Sequence, residues 1–259
     1  MRKQGGRLRR FGRPQLTLAC LVLLSAVAYW QQRPVVADAG PLRYQVDAAW
    51  PKPLPAPKDS AGQTHQWITG DVGASCVDSR DHVIVVTRGF SRGGVAGTDG
   101  TQSIASPPVL EFDPAGNLVN SWGEATLTSS GVSAVLPNSI HGCFVDYEDN
   151  VWIGGNGDGI VQKWSHDGKK RLLQIGEKGL CDGPEQAPEP PAGQKWFGRP
   201  NRFYPTCPEP GQNQSHTRLN GIADMYIDPA PDPVTGQRGS VYVADGYGNN
   251  RVVVFDAIG

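Results

Sequence analysis

The sequence predicts an all-β chain assembled from a repeated unit of short strands, and three observations carry that expectation. Gly (33) and Pro (22) make up more than a fifth of the 259 residues, and apolar residues do not recur at helical spacing. Short runs rich in Val, Ile and aromatic residues, such as HVIVV, VLEF, NVWIGG, IVQKW, SVYVAD and RVVVF, alternate with turn sequences such as DPAGN and HDGK. The same order of runs and turns then returns along the chain.

In the first unit, GASCVD leads through a polar turn to HVIVV, and VLEFD and LVNSWG follow later. In the second, HGCFVD precedes NVWIGG, IVQKW and RLLQIG. The third runs through NGIADMYID, SVYVAD and RVVVFD. Each first strand closes on an aspartate: Asp78, Asp146 or Asp228. Asp and the Asn-Gly or Asp-Gly pairs supply turn geometry that β-branched residues resist. A four-strand antiparallel unit buries neither face alone, so neighbours must stack, and stacking around an axis makes a β-propeller. The closing aspartates lie 68 and 82 residues apart, and the excess length sits in loops, above all the Pro- and Gly-rich stretch 179–218.

The N-terminus is a separate element. Arg2, Lys3, Arg7, Arg9, Arg10 and Arg13 precede the uncharged run LTLACLVLLSAVAYW, residues 16–30. This pattern predicts a signal peptide, cleaved near Ala37-Asp38-Ala39, or an uncleaved signal anchor tethering the chain to a membrane. The expected organisation is a signal over 1–39, an extended lead-in over 40–70 and the repeats over 71–259. Without the first 39 residues, 17 basic face 24 acidic residues, so no basic surface for nucleic acid is expected. An exported chain tolerates disulfides, and Cys181 and Cys207, which bracket the Pro-rich loop, are the expected staple. Cys76 and Cys143, in apolar strand contexts, are expected to be buried free thiols.

The stretch VYVADGYGNNRVVVFD resembles the NHL repeat, and residues 42–259 are similar to bacterial secreted propellers of that type. More narrowly, the chain resembles the peptidyl-α-hydroxyglycine α-amidating lyases. These six-bladed propellers cleave a C-terminal hydroxyglycine into a peptide amide and glyoxylate. The resemblance implies zinc and calcium as cofactors and a small-molecule or peptide substrate. LPNSIHGCFVD resembles the first of three zinc-binding strand entrances, which puts His141 on a zinc ligand, without the family's preceding proline. DSRDHVIVVTRGF matches the segment bearing the active-site arginine, which falls on Arg88. Asp-Gly-Tyr followed by Asn-x-Arg carries the catalytic tyrosine onto Tyr247. Calcium would be held through backbone carbonyls at Ser75 and Cys143, as calcium accepts carbonyl oxygens.

Each residue has a plainer alternative. His141 suits a turn satisfied by a backbone group, Arg88 a solvated strand end or a staple between neighbouring units, with Arg92 as the alternative participant, and Tyr247 a strand–turn junction. Arg251 reads as part of the repeat's own structure, and His65, His82, His166 and His216 read as ordinary. The leading expectation is an exported, periplasmic or extracellular zinc-dependent lyase acting on α-hydroxyglycine-type amides. The alternative is a non-catalytic propeller scaffold that binds a protein or carbohydrate partner. A calcium-dependent lactonase-type hydrolase shares the fold but has no motif here. About three of six blades are visible, so the reading takes the sequence as an N-terminal part of a longer propeller. Its other histidine ligands would then lie elsewhere, and the chain alone would be poorly soluble, inactive and without stoichiometric zinc.

Overall fold

The computed structural model describes residues 44–89, 103–182, 195–196, 199–200 and 213–256. The expected signal over 1–39, Arg92 and Cys207 lie outside the described residues. After the short strand β1 (Trp67–Ile68), a first antiparallel sheet is built by β2 (Val72–Val77) and β3 (Val83–Thr87). Past β4 (Ile104–Ala105), which pairs in parallel with β1, it is completed by β5 (Val109–Phe112) and β6 (Leu118–Trp122). A six-residue helix, α1 (Ala125–Ser130), leads to the second sheet. That sheet comprises β7 (Ile140–Val145), β8 (Val151–Gly155), β9 (Val161–Trp164) and β10 (Arg171–Ile175). The two-residue strands β11 (Lys195–Trp196) and β12 (Arg199–Pro200) pair with each other. The third sheet consists of β13 (Ile222–Pro231), β14 (Arg238–Asp245) and β15 (Arg251–Phe255). All three sheets are antiparallel meanders in chain order, so the all-β expectation and its three repeats hold.

Aspartate sets the turns. After β2, Asp78 Oδ1 accepts the backbone N–H groups of Arg80 and His82 at 2.8 Å each, and Asp81 takes a left-handed φ of 61°. After β7, Asp146 repeats the motif on Glu148 and Asn150, with Asp149 at φ 59°. Asp tolerates this region because its short side chain satisfies the local backbone.

Period-two alternation gives each sheet two faces, and the core lies between successive sheets. Ile84, Val86, Val109 and Trp122 of the first sheet meet Ile140, Cys143, Val151, Ile153 and Trp164 of the second. Trp152, Val161 and Ile175 of the second meet Ile222, Met225, Ile227, Val241 and Val243 of the third. Both seams put first strands beside each other, β2 against β7 and β7 against β13. The close approach requires glycine at Gly73, where an added Cβ would stand 2.1 Å from the carbonyl oxygen of Ile140.

One cysteine expectation is overturned. Cys76 and Cys143 are not free thiols but a disulfide, with Cα atoms 5.5 Å apart, joining β2 to β7. The two first strands run side by side and the pleat turns both side chains into the same seam. Cys181 is also disulfide-bonded, to a partner outside the described residues.

Candidate functional site

The first strands begin, and the second strands end, at one end of the three sheets. Ile140 pairs with Gly155, Ile222 with Asp245 and Val72 with Thr87. His141 therefore stands one residue into β7, Tyr247 two residues past β14, and Arg88 one residue past β3.

His141 and Tyr247 meet. Tyr247 Oη is 2.7 Å from His141 Nε2, with the rings edge-on at a centroid distance of 5.1 Å. His141 Nδ1 lies 2.8 Å from the carbonyl oxygen of Ala223 on β13. A carbonyl only accepts, so Nδ1 carries the proton of the neutral ring. Nε2 then presents its lone pair to the tyrosine hydroxyl. Tyr247 is 44% exposed, so its oxygen is reachable from solvent. Arg88 is half-buried, and its Nε has no hydrogen-bond partner among the described residues. Its Cβ and the carbonyl of Ile140 both flank Gly73, which places the base of Arg88 beside the start of β7.

Two polar networks hold this end in shape. In the turn carrying Tyr247, Asp245 accepts from Asn220 N at 2.7 Å, Asn249 Nδ2 at 2.7 Å and Arg251 Nε at 3.0 Å. Arg251 also donates to the carbonyls of Ser215 and Arg218, so it is structural, and the Tyr247 backbone N–H donates to Gly221 O at 3.0 Å. Ahead of His141, Asn138 N donates to Asp158 Oδ2 at 3.0 Å, and Lys178 pairs with Asp158 and donates to Leu136 O. Burial pushes the Asp158 carboxyl above its ordinary range, against the pull of Lys178.

The zinc expectation fits in part. His141 is oriented as metal-binding histidines are, with one ring nitrogen donated to a carbonyl and the other presenting a lone pair. A family-like site needs two further histidines, and among the described residues the one group of three or more metal-capable side chains lies elsewhere. His141 alone does not make that site. For calcium, Ser75 and Cys143 lie on adjacent first strands, with no carboxylate cluster among the described residues beside them.

The other group lies on the turn between β2 and β3. Asp78, His82 and Glu111 converge there, and His166 reaches them from the turn between β9 and β10. His82 Nδ1 is 2.7 Å from Glu111 Oε1, and His166 Nε2 is 3.2 Å from the same oxygen. Arg80 Nη2 sits among them, 2.7 Å from Asp78 Oδ2 and 3.0 Å from Glu111 Oε1. Burial alone would raise the Glu111 carboxyl, but its hydrogen bonds from His82 and His166 outweigh that and hold it below the ordinary value. His82 and His166 are thus not ordinary turn residues. The signal available in the sequence was the placing of SRDH and SHDG in the turns of successive units, which a seam between sheets brings together.

No family model and no curated protein matches the chain. Solved structures match weakly. One is the extracellular domain of a hybrid two-component system protein from B. thetaiotaomicron, 15% identical with a TM-score of 0.34, covering 78% of this chain and 22% of that one. Another is an auxiliary nutrient-binding protein from Bacteroides ovatus, 14% identical with a TM-score of 0.31, covering 76% of this chain and 50% of that one. The chain spans half or less of the length of both, and at these scores neither assigns it an activity.

Proposed function

We propose that the chain contributes three successive blades of an extracytoplasmic NHL-type β-propeller with a lyase-like site, acting on an α-hydroxyglycine-type amide. The observation that carries this reading is the 2.7 Å contact between Tyr247 Oη and His141 Nε2, made across two sheets by residues 106 apart in sequence. The Cys76–Cys143 disulfide supports an oxidising compartment.

The site's own groups suffice to describe the proton path. Tyr247 passes its hydroxyl proton to His141 Nε2, and the phenolate oxygen takes the proton of the substrate hydroxyl. The carbinol C–O bond becomes a carbonyl as the C–N bond breaks, and the proton held on His141 passes to the departing amide nitrogen, which restores the neutral Tyr247–His141 pair. The products are an amide and glyoxylate. Arg88, one residue past β3 at the same end, would meet the substrate carboxylate through its guanidinium.

Glyoxylate release from an α-hydroxyglycine compound by the folded protein is the test. Release that depends on Tyr247 supports the reading. Its absence from folded protein leaves the scaffold reading, which the lack of a metal-capable group around His141 among the described residues favours.

A further inference from the structure

We infer that Asp78, Glu111 and His166, with His82 beside them, form a divalent transition-metal site, of the zinc class, that the exposed side chain of Arg80 plugs. Three acceptor atoms converge on one cationic nitrogen. Arg80 Nη2 lies 2.7 Å from Asp78 Oδ2, 3.0 Å from Glu111 Oε1 and 2.6 Å from His166 Nε2. His166 Nε2 also lies 3.2 Å from Glu111 Oε1, and in the neutral ring its lone pair points at the same place as the two carboxylate oxygens. Its other nitrogen, Nδ1, donates to the carbonyl of Asp149 at 2.8 Å, the arrangement that fixes metal-binding imidazoles.

The charges argue the same way. The carboxylates of Asp78 and Glu111 are 0% and 5% exposed, and among the described residues the only fixed cation facing them is Arg80. Buried charge demands compensation, and beyond Arg80 it must come from protonated imidazoles or from a bound cation. The second sheet shows how the fold balances this position without a metal. Glu111 and Lys163 occupy the same register, each paired across the ladder with the second strand, Glu111 with Ile84 and Lys163 with Trp152. There Lys163 supplies an internal cation to Asp146 at 2.9 Å and Glu148 at 3.1 Å. The first sheet replaces that lysine with a second acid and brings in two imidazoles. Two carboxylate oxygens and one or two imidazole nitrogens are a ligand set for zinc. The Arg80 side chain is 54% exposed and free to swing outward, after which a contraction to about 2.0–2.2 Å closes the ligands on an ion.

The site is independent of the His141–Tyr247 pair, and its test is separate. The metal-stripped full chain is titrated with Zn²⁺ by calorimetry and with Co²⁺ by its visible absorption, with folding followed by circular dichroism. One ion per chain is expected. Glu111→Gln and His166→Gln should each weaken binding about 10- to 100-fold. Arg80→Ala should tighten it about tenfold, as one competing ion pair is removed. His141→Ala should leave the titration unchanged, which separates this site from any zinc at the catalytic end. If Glu111→Gln fails to fold, His166→Gln and Arg80→Ala carry the test. Absence of stoichiometric binding to folded chain overturns the inference. So does binding indifferent to His166→Gln, an adventitious ion only, or weakened by Arg80→Ala.

Discussion

Tyr247 Oη donates to His141 Nε2 across the seam between the second and third sheets, and the same imidazole is anchored on Ala223 O. The tautomer is therefore set before any substrate arrives. Tyr247→Phe removes one oxygen and keeps the ring edge on His141. It should lower glyoxylate release about 100- to 10,000-fold with little loss of stability. Near-normal turnover by this variant would remove Tyr247 from the chemistry.

The Cys76–Cys143 disulfide closes a loop of 67 residues between the first strands of two sheets. Restricting the unfolded chain in this way is worth about 2–4 kcal/mol. Cys76→Ser should lower the urea midpoint by a matching amount, and reduction of the wild type, which also breaks the disulfide of Cys181, should lower it at least as far. Peptide mapping without reductant should recover the two cysteines in one linked pair; separate alkylated peptides would refute the linkage.

The strands were legible because their cause is local. HVIVV, NVWIGG and SVYVAD are β-branched runs bounded by Asp turns, and they form β3, β8 and β14 as expected. The pairing of Cys76 with Cys143 was not legible, because it depends on how one sheet lies against the next. The same holds for His166: its SHDG turn and the SRDH turn recur in successive units, but only the seam between sheets brings its ring to Glu111. Tyr247 and His141 were each singled out through motif resemblance, but only the seam between sheets puts their polar atoms in contact. Short helix α1 left no periodic signal at six residues.

Asp146 predicts an acid limb. Its side chain is 1% exposed and accepts from Trp152 Nε1 at 2.8 Å and Lys163 at 2.9 Å. Burial raises its carboxyl, but the hydrogen bonds from Trp152 and Lys163 prevail and hold it below 3.8. A depressed carboxyl contributes stability that is present above the unfolded value and lost as pH falls through the lower folded one. Denaturant melts between pH 6 and 2 should show this loss beginning near pH 3.8 and deepening below it. Asp146→Asn should lack that component and be less stable at neutral pH by about 3 kcal/mol, since Lys163 is left without its buried partner. An acid limb identical in the variant would exclude Asp146 as its source.

Gly89 predicts a strict requirement for glycine next to Arg88. Its φ is 85°, and an added Cβ would stand 2.4 Å from the carbonyl oxygen of Leu127 in α1. Gly89→Ala should destabilise by at least about 1–2 kcal/mol from the backbone conformation alone. The clash should also displace α1 or the end of β3, carrying Arg88 with it. Hydrogen exchange should rise at Thr87 and Gly131; an unchanged melt and exchange pattern would mean that α1 is not held at Gly89.

The third sheet predicts association. In the second sheet, Phe144 pairs with Trp152 and Trp152 with Lys163, and this face packs on the third sheet. By register the corresponding row of the third sheet is Tyr226, Tyr242 and Val254, with Val252 beside it. These side chains are 51%, 39%, 54% and 67% exposed. The face repeats the positions that the first two sheets bury against their neighbours, and β15 has no strand paired to its outer side among the described residues. An apolar face beside an open strand edge invites intermolecular pairing. The chain should therefore associate with rising concentration in analytical ultracentrifugation. Val252→Lys with Val254→Lys should suppress that association and leave Val253 and Phe255, on the opposite face, in the core. Equal association by the double variant would show that another surface drives it.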